Sequence, residues 1–343
     1  MNVSIVIPMR NEEAFVGRCL ESVLAQLDGP EEFEVLCVDG ASTDRTRGIV
    51  AGYAQKDPRV KLVDNPAKIV PAGMNKAIGE AAGEVVIRLD CHAQYAPDYI
   101  RNCLAVLERT GADNVGGYMQ TRPAEETPTG RAIAAATSSR FGVGGSTFRT
   151  GGGEMEVDTV PFGCFRRDVF ERFGLYDERL VRNQDIELNS RIRTGGGRIV
   201  ISPEIRLTYY NRSTFAGMRQ QAFHNGLWNP YTLYLVGGGL RLRHLIPLGF
   251  VLSLLALAAV GVFFRPAWAV LAAELAAYLA AGGVFAVKAA REEGVSAPRV
   301  LAAFVQLHLA YGIGSLWGVV TAPIKFGRGR SKRVGVALAD RRD

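Results

Sequence analysis

Asp90 and His92 stand one residue apart where the apolar run Val85-Val86-Ile87-Arg88-Leu89 ends. A carboxylate oxygen and an imidazole nitrogen both suit a divalent cation, and a strand end mounts them rigidly. A cation held there binds a diphosphate and offsets negative charge on a departing one. The same residues also read as a buried strand whose Asp caps the next turn, with His92 an ordinary surface group. A second candidate lies in Arg182-Asn183-Gln184-Asp185-Ile186-Glu187-Leu188, the first turns of an expected helix running to about residue 193. Ile186 and Leu188 suit burial, which leaves Asp185 and Glu187 to project differently. Asp185 is either a general base for an attacking hydroxyl or a charge complement at a helix start.

The elements that must position these groups follow from the hydrophobic pattern. Residues 3–8 have the profile of a strand buried on both faces, and Asn11, Glu12 and Glu13 are placed to start a helix reaching about Gln26. A second strand at 33–38 ends in Asp39-Gly40-Ala41-Ser42-Thr43-Asp44, and a helix begins there. A third strand at 60–63, a helix over 71–82 opened by Pro71, a fourth strand at 85–89 and a helix near 98–108 follow. This alternation predicts an α/β fold, a mostly parallel sheet with helices on both faces. Ligands of such sheets bind at the C-terminal strand ends, where Pro8 to Glu12, Asp39 and Asp90 all fall. Beyond Thr110 a strand is expected at 114–120, a mobile loop at the glycine-rich stretch 142–153, and a short helix near Arg167 after 160–165.

Composition excludes several classes. With 48% hydrophobic and 22% charged residues the chain is not a disordered one. Five scattered cysteines, never spaced as CxxC, exclude a disulfide scaffold or zinc ribbon and fit a reducing compartment. The loop after the first strand reads PMRNEE instead of GxGxxG, which argues against a nicotinamide oxidoreductase and makes a metal counter-charge more necessary. The net charge of +6 is concentrated from Arg241 onward, in the most apolar third of the chain. That pairing points to anionic lipid headgroups and not to nucleic acid. The opening MNVSIVIPMRNEE has no signal-peptide pattern, so the N-terminal part is expected in the cytosol.

In their order, the segments SIVIPMRNEE, VDGASTD, NPAKIVPAGMNKAIGEAAGE, the strand ending DCH, VPFGCFRR and RNQDIEL resemble glycosyltransferase family 2 over roughly residues 1–210. The likeness is nearest to its bacterial exopolysaccharide branch of the succinoglycan type. The resemblance implies a GT-A fold (Rossmann-like) and an inverting transfer from a nucleotide-sugar donor, with UDP-glucose as the guess for that donor. It implies Pro8, Arg10, Glu12 and Asp39 at the nucleoside, Lys68 and Asn75 near the nucleotide, Asp90 at ribose and metal, and His92 on the metal. Asp185 becomes the base, and Gly163, Gln184, Gln220 and Trp228 fall on the acceptor side. Two departures stand out. The usual DxD is DxH here, which suits Mn2+ better than Mg2+, although Mg2+ stays open. The QxxRW of processive members is missing its Arg in Arg219-Gln220-Gln221-Ala222-Phe223-His224-Asn225-Gly226-Leu227-Trp228, which favours adding one sugar.

The chain is thus expected to divide into a catalytic domain at 1–212, an interfacial amphipathic segment at 213–243, transmembrane helices within 244–324 and a basic tail at 325–343. The apolar runs are 247–264, 267–287 and 300–324. Glu274 and His308 are expected to pair or pack within the bundle, or to mark an acceptor path. Basic residues before the first run and between the second and third read as cytosolic, yet three crossings put the basic tail outside. The third crossing is left open. A catalytic domain on the cytoplasmic face of the cell membrane implies a lipid-linked acceptor, a sugar on polyprenyl diphosphate. The resemblance also admits other polysaccharide-assembly membrane proteins as partners. Rival readings are transfer directly to polyprenyl phosphate and a membrane-anchored scaffold with a degenerate site.

Overall fold

The β-branched runs form strands because both of their faces are covered. In the computed structural model, which describes residues 2–27 and 32–327, β1 (Asn2–Met9), β2 (Glu32–Asp39), β3 (Val60–Asp64) and β4 (Val85–Arg88) lie parallel in the order β3-β2-β1-β4. Ile5, Ile7, Val35, Cys37, Val86 and Ile87 are fully buried, so continuous apolar sequence and two-sided burial coincide. Helices α1 (Val16–Leu24), α2 (Thr46–Lys56) and α3 (Val70–Glu80) make the crossovers. The register aligns Met9 with Asp39 and Asp39 with Asp64, which brings three strand tips level.

Beyond β4 the sheet becomes mixed. The chain continues through β5 (Ala93–Tyr95), α4 (Tyr99–Thr110), β6 (Asn114–Pro123), α5 (Pro128–Ser138), α6 (Arg140–Val143) and α7 (Thr147–Thr150). It returns through β7 (Met155–Glu156), β8 (Cys164–Arg166), α8 (Asp168–Phe173), α9 (Gln184–Thr194) and β9 (Ile199–Asn211). Strand β8 pairs antiparallel with both β4 and β6, and β9 pairs antiparallel with β5 and β7. The last elements are α10 (Phe215–Val236), α11 (Ile246–Phe263), α12 (Pro266–Glu293) and α13 (Ala297–Phe326). The three apolar runs are therefore single helices, each long and apolar enough to cross a membrane.

The described residues form two compact units. One comprises 2–120 and 151–209, the other 121–150 and 210–327. The core of the second unit gathers Ala132, Ile133 and Ala136 of α5, Met218 of α10, Ala286 of α12, and Val300, Ala303 and Phe304 of α13. Helix α5 starts cleanly, with Pro128 in its first turn and the Thr127 hydroxyl accepting from the Gly130 amide at 3.0 Å.

At three places the structure adds detail to the expectation, and at the first it corrects it. The first helix starts at Val16 and not at Asn11, because residues 11–13 bond to the loop after β2 and so do not cap a helix. The stretch 142–153 holds α7, and its ends are tied: His308 Nε2 lies 3.3 Å from the Gly142 carbonyl, and the Tyr118 hydroxyl donates to the Gly153 carbonyl at 2.7 Å. Glu274 and His308 each bond elsewhere. The Ser253 hydroxyl donates to Glu274 at 2.5 Å, and His308 Nδ1 meets the Tyr278 hydroxyl at 2.8 Å. The residues of the basic tail beyond Gly327 lie outside the described residues.

Candidate active site

The loops after β1 and β2 are knit into one surface. The Asn11 amide donates to Ser42 Oγ at 2.9 Å, and the Thr43 amide returns a bond to Asn11 Oδ1 at 2.8 Å. The Glu12 amide donates to Thr46 Oγ1 at 2.7 Å, and the Glu13 amide to Asp44 at 3.1 Å. Backbone donors are thereby satisfied by side chains of the neighbouring loop, and the Glu12 carboxylate is left for other work. Asp39, 1% exposed, accepts from the Ser42 amide at 3.3 Å and from Arg47 at 3.3 Å. Arg47 also reaches Asp64 at the next strand tip, at 2.5 Å. Pro8 is half-buried near the end of β1, and Arg10 is exposed, its Cβ against Gly40.

Strand β4 delivers the central group. Arg88 is buried in an otherwise apolar strand and donates through Nε to Asp90 Oδ1 at 3.1 Å. Burial alone would lower the Arg88 pKa, but Asp90, Tyr176 and Asp185 outweigh it and raise it above the ordinary guanidinium value. Tyr176 sits on the same cation, its hydroxyl pushed up to about 12 by burial against the opposing pull of Arg88. The buried Arg88 thus bonds Asp90 directly, and Asp185 lies near enough for its charge to contribute to the raised Arg88 pKa. Asp90 is further fixed by its amide, which donates to the Tyr95 hydroxyl at 2.6 Å.

His92 follows at the half-exposed rim. Its Nδ1 lies 3.8 Å from Glu12 Oε1, and its ring packs edge-on against Tyr209 with centroids 5.4 Å apart. A carboxylate beside one ring nitrogen is the arrangement that orients a ligating imidazole and leaves the other nitrogen outward. Among the described residues, no three His, Cys, Asp or Glu side chains converge as a closed metal cage. Asp90 and His92 would offer an oxygen and a nitrogen ligand to a divalent cation, whose remaining ligands would have to come from elsewhere.

Within the segment holding Asp185, the two carboxylates part ways. Glu187 is buried and takes Arg191 at 2.8 Å through both of its oxygens, and Arg191 also binds the Leu175 carbonyl at 2.7 Å. Glu187 is committed to structure. Asp185 accepts the Ile186 amide at 2.9 Å, its one hydrogen bond among the described residues, so lone pairs remain on its carboxylate. Asn183 before it holds a left-handed backbone, φ 62°, and the Gln184 side chain is buried with its Oε1 unpartnered among the described residues.

The remaining candidates separate by location. Asn75 clasps the backbone of Tyr176 from both sides, Nδ2 to its carbonyl and its amide to Oδ1, each at 2.9 Å. Its Nδ2 also donates to Glu178 at 2.9 Å, so its two amide hydrogens are engaged within the protein. Lys68 is exposed in the loop after β3. Gly163 accepts the Arg88 amide at 3.1 Å, and a Cβ there would lie 2.4 Å from the Phe165 ring. Gln220 and Trp228 belong to α10 in the second unit, Gln220 exposed and Trp228 buried against Tyr231 with Lys325 over its ring. Arg88 and Tyr176 were not singled out from sequence; the signal available was a lone cation inside an apolar strand, which needs a partner.

Backbone strain marks the same places. The non-glycine residues with positive φ are Asn11, Ala41, Lys68, Phe162 and Asn183. Each sits in one of the segments already named, and such conformations cost on the order of 1 kcal/mol apiece unless surroundings impose them.

Comparison with known proteins bears on the family and the fold. The chain is 35% identical over 224 residues to succinoglycan biosynthesis protein ExoA of Rhizobium meliloti (strain 1021), covering 65% of this chain and 67% of that protein. It is 27% identical over 267 residues to a dolichyl N-acetyl-alpha-D-glucosaminyl phosphate 3-beta-D-2,3-diacetamido-2,3-dideoxy-beta-D-glucuronosyltransferase of Methanococcus voltae, covering 76% and 82%. In fold it is similar to mannosyltransferase PcManGT from Pyrobaculum calidifontis, solved in complex with GDP-Man and Mn2+, with a TM-score of 0.59 at 20% identity over 92% of this chain and 87% of that one. The profile described as Glycosyl transferase family 2 matches residues 4–174, and together with the extent of the ExoA match it shows that the chain belongs to glycosyltransferase family 2, with a GT-A fold.

Proposed function

We propose that this protein moves one sugar, with inversion, from a nucleotide-sugar donor to a sugar carried on a polyprenyl diphosphate lipid, in the synthesis of a cell-surface glycan. The observation that supports the reading is the buried Arg88, which donates to Asp90 at 3.1 Å and whose charge is favoured by Asp90, Tyr176 and Asp185. On this reading Asp90 lies at the departing diphosphate and Asp185 is the base. Asp185 removes the proton from an acceptor hydroxyl, whose oxygen bonds to the anomeric carbon from the face opposite the diphosphate. The bond from that carbon to the diphosphate oxygen breaks in the same displacement, and the proton stays on Asp185. A divalent cation at Asp90 and His92, Mn2+ in preference to Mg2+, supplies the counter-charge for the departing nucleoside diphosphate. Pro8, Arg10, Glu12 and Asp39 line the nucleoside end, where Asp39 accepts from the base. The absence of an Arg before Trp228 supports a single addition.

Three apolar helices support attachment to the cell membrane, with the catalytic unit on its cytoplasmic face. The Methanococcus voltae relative, whose name describes a dolichyl-phosphate-linked sugar as acceptor, supports extension of a lipid-linked sugar over transfer to bare polyprenyl phosphate. The test is to incubate membranes holding the full chain with a panel of labelled nucleotide sugars, with Mn2+ or Mg2+, and to extract lipids. Mild acid cleaves the lipid diphosphate, and the label is expected to be released within an oligosaccharide whose new glycosidic bond survives. Label released as the monosaccharide indicates the phosphate acceptor, and no labelled lipid with any donor and either metal sinks the proposal.

A further inference from the structure

Helices α10 and α13 run side by side in the same direction. Arg219 donates to Gln306 at 2.5 Å, Ser315 to the Gly226 carbonyl at 3.1 Å, and Tyr231 meets Thr321 at 2.8 Å. Their backbones nearly touch through glycines. A Cβ on Gly226 would lie 2.0 Å from the Tyr311 carbonyl, one on Gly314 2.1 Å from that of Phe223, and one on Gly318 2.5 Å from that of Leu227. Gly314 and Gly318 are the small residues four apart that allow such approach. The pair has two unlike sides. Helix α10 exposes Arg219 and Gln220, with His224 and Asn225 half-buried, whereas α13 exposes Ile313, Trp317, Val320 and Ile324 along one helical stripe.

Helices α11 and α12 make a different object, an antiparallel hairpin. Phe250 stacks on Tyr278 at 4.7 Å, Ser253 bonds Glu274, and Gly261 abuts Trp268. The 18 residues of α11 span about 27 Å, close to the hydrocarbon thickness of a bilayer. The tip is apolar, with Phe263 93% exposed, and Arg265 is the charge there. Helix α13 meets this hairpin at its open end, Gly312 against the Pro247 carbonyl and His308 on Tyr278. Arg241 and Arg243 stand at that end, as do Lys288 and Arg291 in the last turns of α12.

We infer that only the α11–α12 hairpin enters the hydrocarbon, and that the α10–α13 pair lies in the headgroup layer of an anionic bilayer. This rests on the membrane attachment proposed above. The stripe from Ile313 to Ile324 faces the acyl chains and the polar side of α10 faces water. A crossing α13 would draw Arg219, Gln220, His224 and Asn225 along it through the hydrocarbon, where polar side chains are expensive. It would also move Lys325 to the side of Arg265. In the hairpin arrangement Arg241, Arg243, Lys288, Arg291, Arg299 and Lys325 share one side, as the positive-inside tendency requires. Lys325, over the rings of Trp228, Tyr231 and Phe326, ends the pair in the aromatic and basic chemistry of an interface.

Substituted cysteines test the arrangement in the full chain, whose five native cysteines are all buried. Phe264→Cys, Glu293→Cys and Lys325→Cys are treated with an impermeant maleimide in intact bacterial cells and in inverted membrane vesicles. Glu293→Cys and Lys325→Cys are expected to label in inverted vesicles and to lose labelling in intact cells. Phe264→Cys is expected to label in intact cells or in neither preparation. Labelling of Lys325→Cys in intact cells, or of Phe264→Cys in inverted vesicles, overturns the inference. Reporter fusions to the C-terminus of the unsubstituted chain guard against misfolded variants: fluorescent protein is expected to glow and alkaline phosphatase to be inactive, and an active phosphatase overturns the hairpin. Release of the unsubstituted chain by alkaline carbonate overturns the attachment itself, an outcome distinct from either result above.

Discussion

The two ends of the parallel strands are built from the same residue types and behave oppositely. At the N-terminal end, Glu34 accepts from Ser4 at 2.5 Å, from the Ala82 amide at 2.7 Å and from Lys61 at 2.8 Å, and the Gly83 amide closes the knot on Ser4 at 2.9 Å. Each group there is answered by another. At the C-terminal end, the Asp90 carboxylate is held by Arg88 alone and Asp185 accepts only the Ile186 amide among the described residues, the backbone has positive φ at Asn11, Ala41, Lys68, Phe162 and Asn183, and the Gln184 amide oxygen is buried without a partner among the described residues. A carboxylate beside a cation is therefore no sign of function by itself. Satisfaction distinguishes the two: the closed end is fully paired and contributes stability, and the other, open end, where the proposed site lies, carries the orphaned polar atom and the strain.

Breaking the open end should cost activity and little stability. Asp185→Asn is expected to lower transfer about 10³-fold, within the usual range for removing a general base, with the thermal midpoint unchanged; a variant that keeps its rate removes Asp185 from the reaction. Arg88→Met should follow, lowering kcat roughly 10²-fold by releasing Asp90 and Tyr176 from position, while a nucleotide-sugar titration by calorimetry still detects the donor. An unaltered kcat would show that the cation serves packing alone.

The closed end should respond the other way. Glu34→Gln is expected to destabilise the protein by about 2 kcal/mol, the range for hydrogen bonds to a charged group, with kcat of the folded fraction unchanged. Burial would raise the Glu34 pKa, but Lys61, Ser4 and the Ala82 amide overcome it and lower it. A lowered folded-state pKa gives stability that is present above the unfolded carboxylate value and lost as pH falls through the folded one. Denaturant midpoints of wild type and variant should therefore differ at neutral pH and converge in acid; a gap that persists in acid would assign the effect to shape instead. The smallest effect is expected of Lys68→Gly, whose φ of 62° glycine adopts freely. Relief of strain against a more flexible unfolded chain should leave a gain of about 0.5 kcal/mol at most, and donor KM should rise if the strain serves the site.

Sequence made the framework legible where burial is one-dimensional. Strands covered on both faces leave unbroken apolar runs, and the charges that end them are the strand tips, so Asp39 and Asp90 could be read directly. The three long apolar helices were legible for the same reason, by length and composition. What stayed hidden depends on a distant partner. Arg88 acquires meaning only when Tyr176 and Asp185 fold back onto it, and Asn75 only through Tyr176, 101 residues away. Asn11, Glu12 and Glu13 look like helix caps until the loop around Ser42 and Asp44 takes their amides. The alanine-rich 128–138 shows no strong apolar stripe, because its burial comes from close helix approach and not from large side chains.

Helix α5 has a practical corollary. The chain visits the second unit twice, at 121–150 and again from 210, so no single cut releases the first unit whole. A chain shortened to end near 212, the natural choice from hydropathy, would retain α5 and delete the α12 and α13 surfaces that cover Ala132, Ile133, Ala135 and Ala136. Such a truncation would carry an uncovered greasy helix on an otherwise water-compatible enzyme. It should precipitate or sequester detergent, and replacing residues 124–150 by a short polar bridge is the more rational way to prepare a soluble catalytic fragment.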